Sequence, residues 1–242
     1  MIDERKIILS EEELRKCQIF SQECAKTQQR TEFGQSTEER SIEETARDNL
    51  IGKIAEVAFS KLMKENYGVN VSLDFNYYPR GKWDTQDAEI NGWRIDVKGT
   101  RSGGHWMLID WGKLNFRQKE NKLSHLYVMF TVGWNRSTDQ PTGCVEYKGF
   151  VTLARLRKED PYTHTLPKDS LLPGTSIPLT ADNYGILFED LYYFKDSFDG
   201  RYSYDLHTLL ENYIPSPNLT DNFKNPYTGK TIIEMNSNAS AL

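Results

Sequence analysis

The chain has 242 residues, 38% of them hydrophobic and 27% charged, so it can bury a core as one large domain or one domain with additions. A net charge of −5 excludes a protein that coats nucleic acid through a basic surface overall, while a local basic patch stays compatible with DNA binding. The longest apolar runs are too short to cross a bilayer, the acidic start is unlike a signal peptide, and the three cysteines form no CxxC pair. We therefore expect a cytoplasmic protein with no membrane partner and no disulfide scaffold.

The first part of the chain, residues 1–40, is predicted to be a helical N-terminal extension. Ser10 and Glu13 have the spacing of a capping box, in which each residue satisfies a backbone N–H of the other. Apolar residues at helical intervals follow in LRKCQIFSQECAKTQQ. The segment TEFGQSTEER then interrupts this pattern and separates the extension from the main domain, which we place at 41–214.

A long helix opens the main domain. Ser41 is a favoured N-cap residue, and Gly68 is a favoured residue just past a helix C-terminus, so the helix is predicted between them. Its apolar residues recur at helical spacing, which requires that this stripe pack on another element. Glu56 lies in the most apolar part of this helix.

After Gly68 the pattern changes to strands. VNVSLDF is a predicted strand at 69–75, and DAEINGWRIDVKGT is a predicted hairpin over the turn Asn91-Gly92, because both turn residues tolerate positive φ. HWMLIDW, LSHLYVMFTV and CVEYKGFVTL are three further strands. The order predicts an α/β (α+β) fold with a mixed central β-sheet flanked by helices, and 215–242 is predicted to be a C-terminal arm or tail.

The predicted hairpin places charged side chains together. Side chains alternate along a strand, so Arg94, Asp96 and Lys98 share one face of WRIDVKG. Asp87 opens the partner strand, and Glu56 projects from a helix that must pack on the same sheet. Glu56, Asp87, Asp96 and Lys98 are therefore predicted to converge.

Three carboxylates and a lysine suit phosphodiester chemistry. Carboxylate oxygens are ligands that Mg²⁺ prefers, and a cation would relieve their mutual repulsion. A metal held in this way polarises a phosphodiester and helps to generate hydroxide from water, while the lysine stabilises charge on the phosphate or orients the water.

At these residues the sequence resembles the PD-(D/E)XK nuclease superfamily. Asp87, eight intervening residues and then Asp96-Val97-Lys98 resemble its signature, and GKIAEVAFSKL resembles its glutamate-bearing first helix. The resemblance covers roughly 42–155 and implies a restriction-endonuclease-like core, with Glu56, Asp87 and Asp96 as metal ligands and Lys98 as the catalytic lysine. Gln86 stands where proline is common, and Asp96 stands where glutamate is more frequent.

Alternatives remain open for each acidic residue. Asp84 competes with Asp87 as the first ligand, and Glu89 shares the face of Asp87 and is a weaker candidate. Glu56 could instead form an ordinary helical ion pair with Lys53 or Arg47. A D-x-K triplet alone is also typical of a solvated strand face, and only its combination with the upstream acids favours a nuclease.

DNA contacts are predicted in and after the hairpin, where basic residues are concentrated and the loop TRSGGHW allows close approach of a nucleic-acid backbone. The alternatives are that the basic stretch KLNFRQKENK is an ordinary solvated loop and that TRSGGHW is a flexible turn. His125, in an apolar strand, is expected to be a core residue instead of a catalytic one. The candidate DNA-binding residues are Arg94, Arg101, Ser102, Lys113, Arg117, Lys119 and Lys122.

The sequence thus predicts a Mg²⁺-dependent DNA endonuclease, with Mn²⁺ as a substitute metal. We favour a type II restriction-like or phage/defence enzyme that acts on double-stranded DNA. Cutting two strands with one site per chain suggests a homodimer, with the N-terminal helices as the candidate interface. The alternatives are a structure-selective repair or Holliday-junction nuclease, and a non-catalytic DNA-binding or assembly module of the same fold.

Overall fold

The computed structural model describes residues 5–27, 41–78, 87–110, 124–156 and 162–193. The predicted C-terminal arm at 215–242 and the end of the predicted main domain lie outside these residues. The helices are α1 (Glu11–Thr27), α2 (Ile42–Tyr67) and the single turn α3 (Leu153–Leu156). The strands are β1 (Lys6–Ile8), β2 (Ala88–Ile90), β3 (Trp93–Arg101), β4 (Trp106–Asp110), β5 (Leu126–Asn135), β6 (Gln140–Thr152), β7 (His164–Leu166) and β8 (Asn183–Leu187).

The bounds of the long helix follow the predicted caps. The Ser41 hydroxyl accepts from the backbone N–H of Glu44, and the Glu44 carboxylate accepts from the backbone N–H of Ser41. At the other end Gly68 has φ 67°, the left-handed conformation that ends a helix. The prediction of a helix between Ser41 and Gly68 is confirmed. The capping box of Ser10 and Glu13 is also present at the start of α1.

The central sheet has five strands in the order β1-β6-β5-β3-β2. β3 and β5 are parallel, and the other neighbouring pairs are antiparallel. A second, antiparallel sheet has the order β4-β8-β7. The mixed sheet and its helices confirm the prediction of a mixed α/β fold.

Both faces of the central sheet are covered. On β5, Leu126, Val128 and Phe130 belong to a core shared with α2, while Tyr127 and Met129 belong to a second core shared with the small sheet. α1 packs on α2, so the two long helices lie on one side of the sheet. The other side is covered mainly by the second sheet, a layer that the sequence did not predict.

Two local predictions were wrong. The predicted strand at 69–75 is irregular backbone, and side chains of α2 bind two of its carbonyl groups. The Ser60 hydroxyl donates to the carbonyl of Val71 at 3.0 Å, and the Lys53 ammonium donates to that of Asp74 at 2.8 Å. Within the predicted helical extension, Lys6–Ile8 instead forms the edge strand β1 beside β6.

None of the helices in the described ranges is both long enough and apolar enough to cross a membrane.

Candidate active site

The hairpin at the centre of the site forms as predicted. Asn91 has φ 50° and Gly92 has φ 82°, and positive φ at both turn residues matches the twist of the strands that they join. The ladder pairs Ile90 with Trp93 and ends where Ala88 pairs with Ile95. Asp87 is thus the first residue beyond the short arm of the hairpin.

Asp87 binds the backbone of the D-x-K triplet. Its Oδ2 accepts a hydrogen bond from the N–H of Val97 at 2.7 Å, and Val97 stands between Asp96 and Lys98. The side chain of Val97 is buried toward α2, whereas those of Asp96 and Lys98 are half-buried on the other face. The predicted alternation along β3 is therefore confirmed, and the carboxylate of Asp87 lies at the edge between the two faces.

Asp96 and Lys98 form an ion pair along the strand. Their side chains are 21% and 17% exposed, so this pair is considerably less accessible than a typical surface pair. Tyr127 on β5 is the register partner of Asp96, and burial together with the Asp96 carboxylate raises the pKa of its phenol well above the usual value. No sequence pattern indicates Tyr127, since only the parallel register of β3 and β5 brings it beside Asp96.

Glu56 reaches the region because α2 packs closely on β3. A Cβ placed on Gly99 would lie 2.8 Å from the carbonyl oxygen of Ile51 and 3.0 Å from the Cβ of Ala55. Only a residue without a side chain permits this approach. Glu56 follows Ala55 directly, and its side chain is 14% exposed.

Glu56 is paired with Lys53, at 2.5 Å between Oε2 and Nζ. The sequence left open whether Glu56 is an ordinary ion-pair partner. The structure shows that the pair exists but is not exposed, because the Lys53 side chain is only 7% exposed. Arg47, the other candidate partner, lies 3.7 Å from Asp139 instead.

The electrostatics of Asp87 connect these groups. Its pKa is raised from 3.8 to about 8, most of all by burial and then by the carboxylates of Asp96 and Glu56, while Lys98 and the Val97 N–H oppose the rise. Asp87 is therefore largely protonated at neutral pH. Asp96 and Glu56, on β3 and α2, both lie close enough to act on it, so the structure brings the four predicted catalytic residues into one electrostatic neighbourhood.

The donor set fits a divalent cation in its chemistry. Carboxylate oxygens are the ligands that Mg²⁺ prefers, and a cation would relieve the like-charge penalty on Asp87. As the side chains stand, however, no group of three or more acidic, histidine or cysteine residues within the described ranges is arranged to hold a metal ion. Lysines are the counter-charges of Glu56 and Asp96 in this arrangement.

Three of the seven predicted DNA-binding residues lie within the described part of the chain. Arg94 shares the face of Asp96, half-buried, and lies opposite Glu89 across the hairpin. Arg101 contacts the α2 side, with its guanidinium 4.7 Å from the centre of the Trp134 ring. Ser102 is exposed at the start of the following loop. The other predicted positions, Lys113, Arg117, Lys119 and Lys122, lie outside the described residues, as does the alternative ligand Asp84.

His125 is a core residue, as predicted. It is 4% exposed, and its Nδ1 accepts the backbone N–H of Arg94 at 3.0 Å. Burial, with a smaller contribution from Arg94, lowers its pKa to about 4, so the ring is neutral at physiological pH. His125 thus joins the start of β5 to β3.

Comparison of the chain with protein-family models, with curated proteins and with solved structures gives no match. Membership of the PD-(D/E)XK superfamily, and the restriction-endonuclease-like core that it implies, therefore remain predictions from the sequence.

Proposed function

We propose that this protein is a Mg²⁺-dependent DNA endonuclease of the PD-(D/E)XK type. The observation that carries the proposal is the position of Asp87. Its carboxylate accepts from the N–H of Val97, the residue between Asp96 and Lys98, and Glu56 is close enough to affect its pKa. Three acids and a lysine from a helix, a hairpin strand and its partner form the constellation expected of a metal-dependent phosphodiesterase.

Each residue has a role in this proposal. Glu56, Asp87 and Asp96 would hold the metal ion, and Mn²⁺ should substitute for Mg²⁺. When bound, the ion polarises a phosphate oxygen and favours formation of the nucleophile. The Lys98 ammonium, fixed beside Asp96, stabilises negative charge that develops on the phosphate oxygens.

The proposed substrate is double-stranded DNA, and the proposed setting is a restriction-like or defence system. Arg94 lies on the same face as Asp96 and Lys98, where its guanidinium could neutralise a backbone phosphate, and exposed Ser102 could donate to another. Cleavage of both strands with one site per chain favours a homodimer with α1 as the candidate interface. Sedimentation equilibrium would test this assembly, and a purely monomeric protein would contradict it.

Digestion of unmodified plasmid and phage DNA tests the function. The purified protein should convert supercoiled plasmid to nicked and linear forms with Mg²⁺ or Mn²⁺ and should be inactive in EDTA. Sequencing the fragment ends would then reveal whether cleavage is sequence-specific. Parallel reactions on single strands and four-way junctions identify a structure-selective nuclease, if only those substrates are cut.

The second candidate is a non-catalytic DNA-binding module of the same fold. It is favoured by one observation, namely that no three acidic side chains in the described ranges are arranged to hold a metal ion. DNA binding in a gel-shift assay, with no cutting of any substrate in any divalent metal, would support this candidate and reject the nuclease.

A further inference from the structure

Lys53 is a buried cation held by groups from several parts of the chain. Its ammonium donates to the carbonyl oxygen of Asp74 at 2.8 Å. It also lies 4.3 Å from the centre of the Phe20 ring and 5.2 Å from that of Phe75, and an ammonium over an aromatic face is attracted by the ring's negative charge distribution. These contacts come from α1 and from the segment after α2, so the ammonium is fixed independently of Glu56.

Within the described part of the chain, the Lys53 ammonium also contacts Glu56. Lys53 and Glu56 are three residues apart on α2, and Nζ lies 2.5 Å from Oε2. Both side chains are largely buried. A buried ion pair of this kind is weak evidence for stability, because the cost of removing both charges from water offsets much of their attraction. The attraction within the pair therefore does not by itself account for the burial of both charges.

A contact that holds one oxygen of a carboxylate also fixes the direction in which the other oxygen points. Groups that bind and orient a metal ligand from behind are often almost as important as the ligand, and their loss typically lowers metal affinity about 10- to 100-fold. The Lys53 ammonium, held by Asp74 and the Phe20 ring, binds and orients the Glu56 carboxylate in this way.

We propose that Lys53 is a positioning residue for Glu56, and that α1 supports the active site through the contact of Phe20 with Lys53. The inference rests on the proposed function, since it assigns Lys53 a role toward a metal ligand of that site. It also gives the N-terminal helix a part in the chemistry beyond any part in assembly.

Mn²⁺ binding, measured from the free-ion electron paramagnetic resonance signal without DNA, tests the proposal. Lys53→Met should weaken binding about 10- to 100-fold. Phe20→Leu, which keeps an apolar side chain but removes the ring, should weaken binding in the same direction by less. Lys53→Arg keeps a cation over the rings and should bind Mn²⁺ more tightly than Lys53→Met.

The matched control is Lys148→Met, because Lys148 also forms a lysine–glutamate pair, 2.6 Å from Glu146 on β6. It should bind Mn²⁺ like the wild type. A folded Lys53→Met with wild-type affinity would overturn the proposal, as would equal weakening in Lys53→Met and Lys53→Arg. If Lys53→Met does not fold, wild-type affinity in Phe20→Leu overturns it instead. Failure of the wild type to bind Mn²⁺, or unchanged binding in Asp96→Asn, would reject the proposed function itself.

Discussion

Asp87 and Val97 are joined by a hydrogen bond of 2.7 Å, from the backbone N–H of Val97 to the carboxylate of Asp87. This contact continues the hairpin one step past its last ladder pair, with a side chain in place of a backbone carbonyl. It places the Asp87 carboxylate beside the backbone between Asp96 and Lys98, and the proposed function depends on that position.

The raised pKa of Asp87 predicts a pH dependence of stability. Its pKa is about 8 in the folded protein against 3.8 as an ordinary value. Between these pH values the folded state binds more protons than the unfolded state, so the contribution of Asp87 is fully present below about pH 4 and is lost as pH rises through about 8. Asp87→Asn should remove this loss, so it should raise the free energy of unfolding more at pH 9 than at pH 5, measured by urea denaturation.

Asp74→Asn is the control for that prediction. Burial opposes ionisation of Asp74, but hydrogen bonds from Tyr78 and Asn76 outweigh it and lower its pKa. Its contribution to stability is therefore present above the unfolded pKa and is lost as pH falls, the opposite sign to Asp87. The same pH slope for both variants would contradict the assigned electrostatics.

The close packing of α2 on β3 predicts a contrast between two glycines. Gly99→Ala places a Cβ 2.8 Å from the carbonyl oxygen of Ile51, so α2 must shift, and we expect a loss of about 1–3 kcal/mol in the free energy of unfolding. Gly52→Ala on α2 meets no atom within 4 Å and should stabilise the protein by up to about 1 kcal/mol. Urea denaturation measures both, and a neutral Gly99→Ala would show that the helix is not held at this distance.

The neutral ring of His125 predicts sensitivity to acid. Its pKa of about 4 lies below the ordinary value of 6.5, so the unfolded state binds more protons between these values and the stability from His125 is lost as pH falls through them. His125→Ala should remove this dependence and leave the Arg94 N–H without its acceptor, at a cost of about 1–3 kcal/mol. Unfolding curves at pH 4.5 and 7.5 check the prediction, and an unchanged difference between the two would contradict it.

Local patterns predicted the parts of the site that depend on local physics. The positive φ of Asn91 and Gly92 and the alternation along β3 follow from residue type and strand geometry. Tyr127 and Gly99 could not be identified in the same way. Tyr127 lies beside Asp96 only through the parallel register of β3 and β5, and Gly99 is required only by the short distance between α2 and β3. Both features are determined by parts of the chain that are distant in sequence.

Contacts between distant parts of the chain also explain where the fold predicted from the sequence was wrong or incomplete. The segment 69–75 has strand-like residues, but its backbone is irregular and two of its carbonyls accept from Ser60 and Lys53 on α2. These contacts cannot be predicted from the local sequence pattern. The environment of Lys53 depends on Phe20 and Phe75, which are distant in sequence from it. The sequence therefore offered Lys53 as a partner of Glu56, but not the ring and carbonyl contacts that hold the Lys53 ammonium in place.

Cleavage by variants of the D-x-K triplet tests the central claim most directly. Single-turnover plasmid cutting with Mg²⁺ should be abolished in Asp96→Ala and in Lys98→Ala, while both still bind DNA in a gel-shift assay. Glu146 and Lys148 form a lysine–glutamate pair with the same spacing on β6, so Glu146→Ala and Lys148→Ala should cut like the wild type. Wild-type cutting by Asp96→Ala or Lys98→Ala would contradict the assignment of this site.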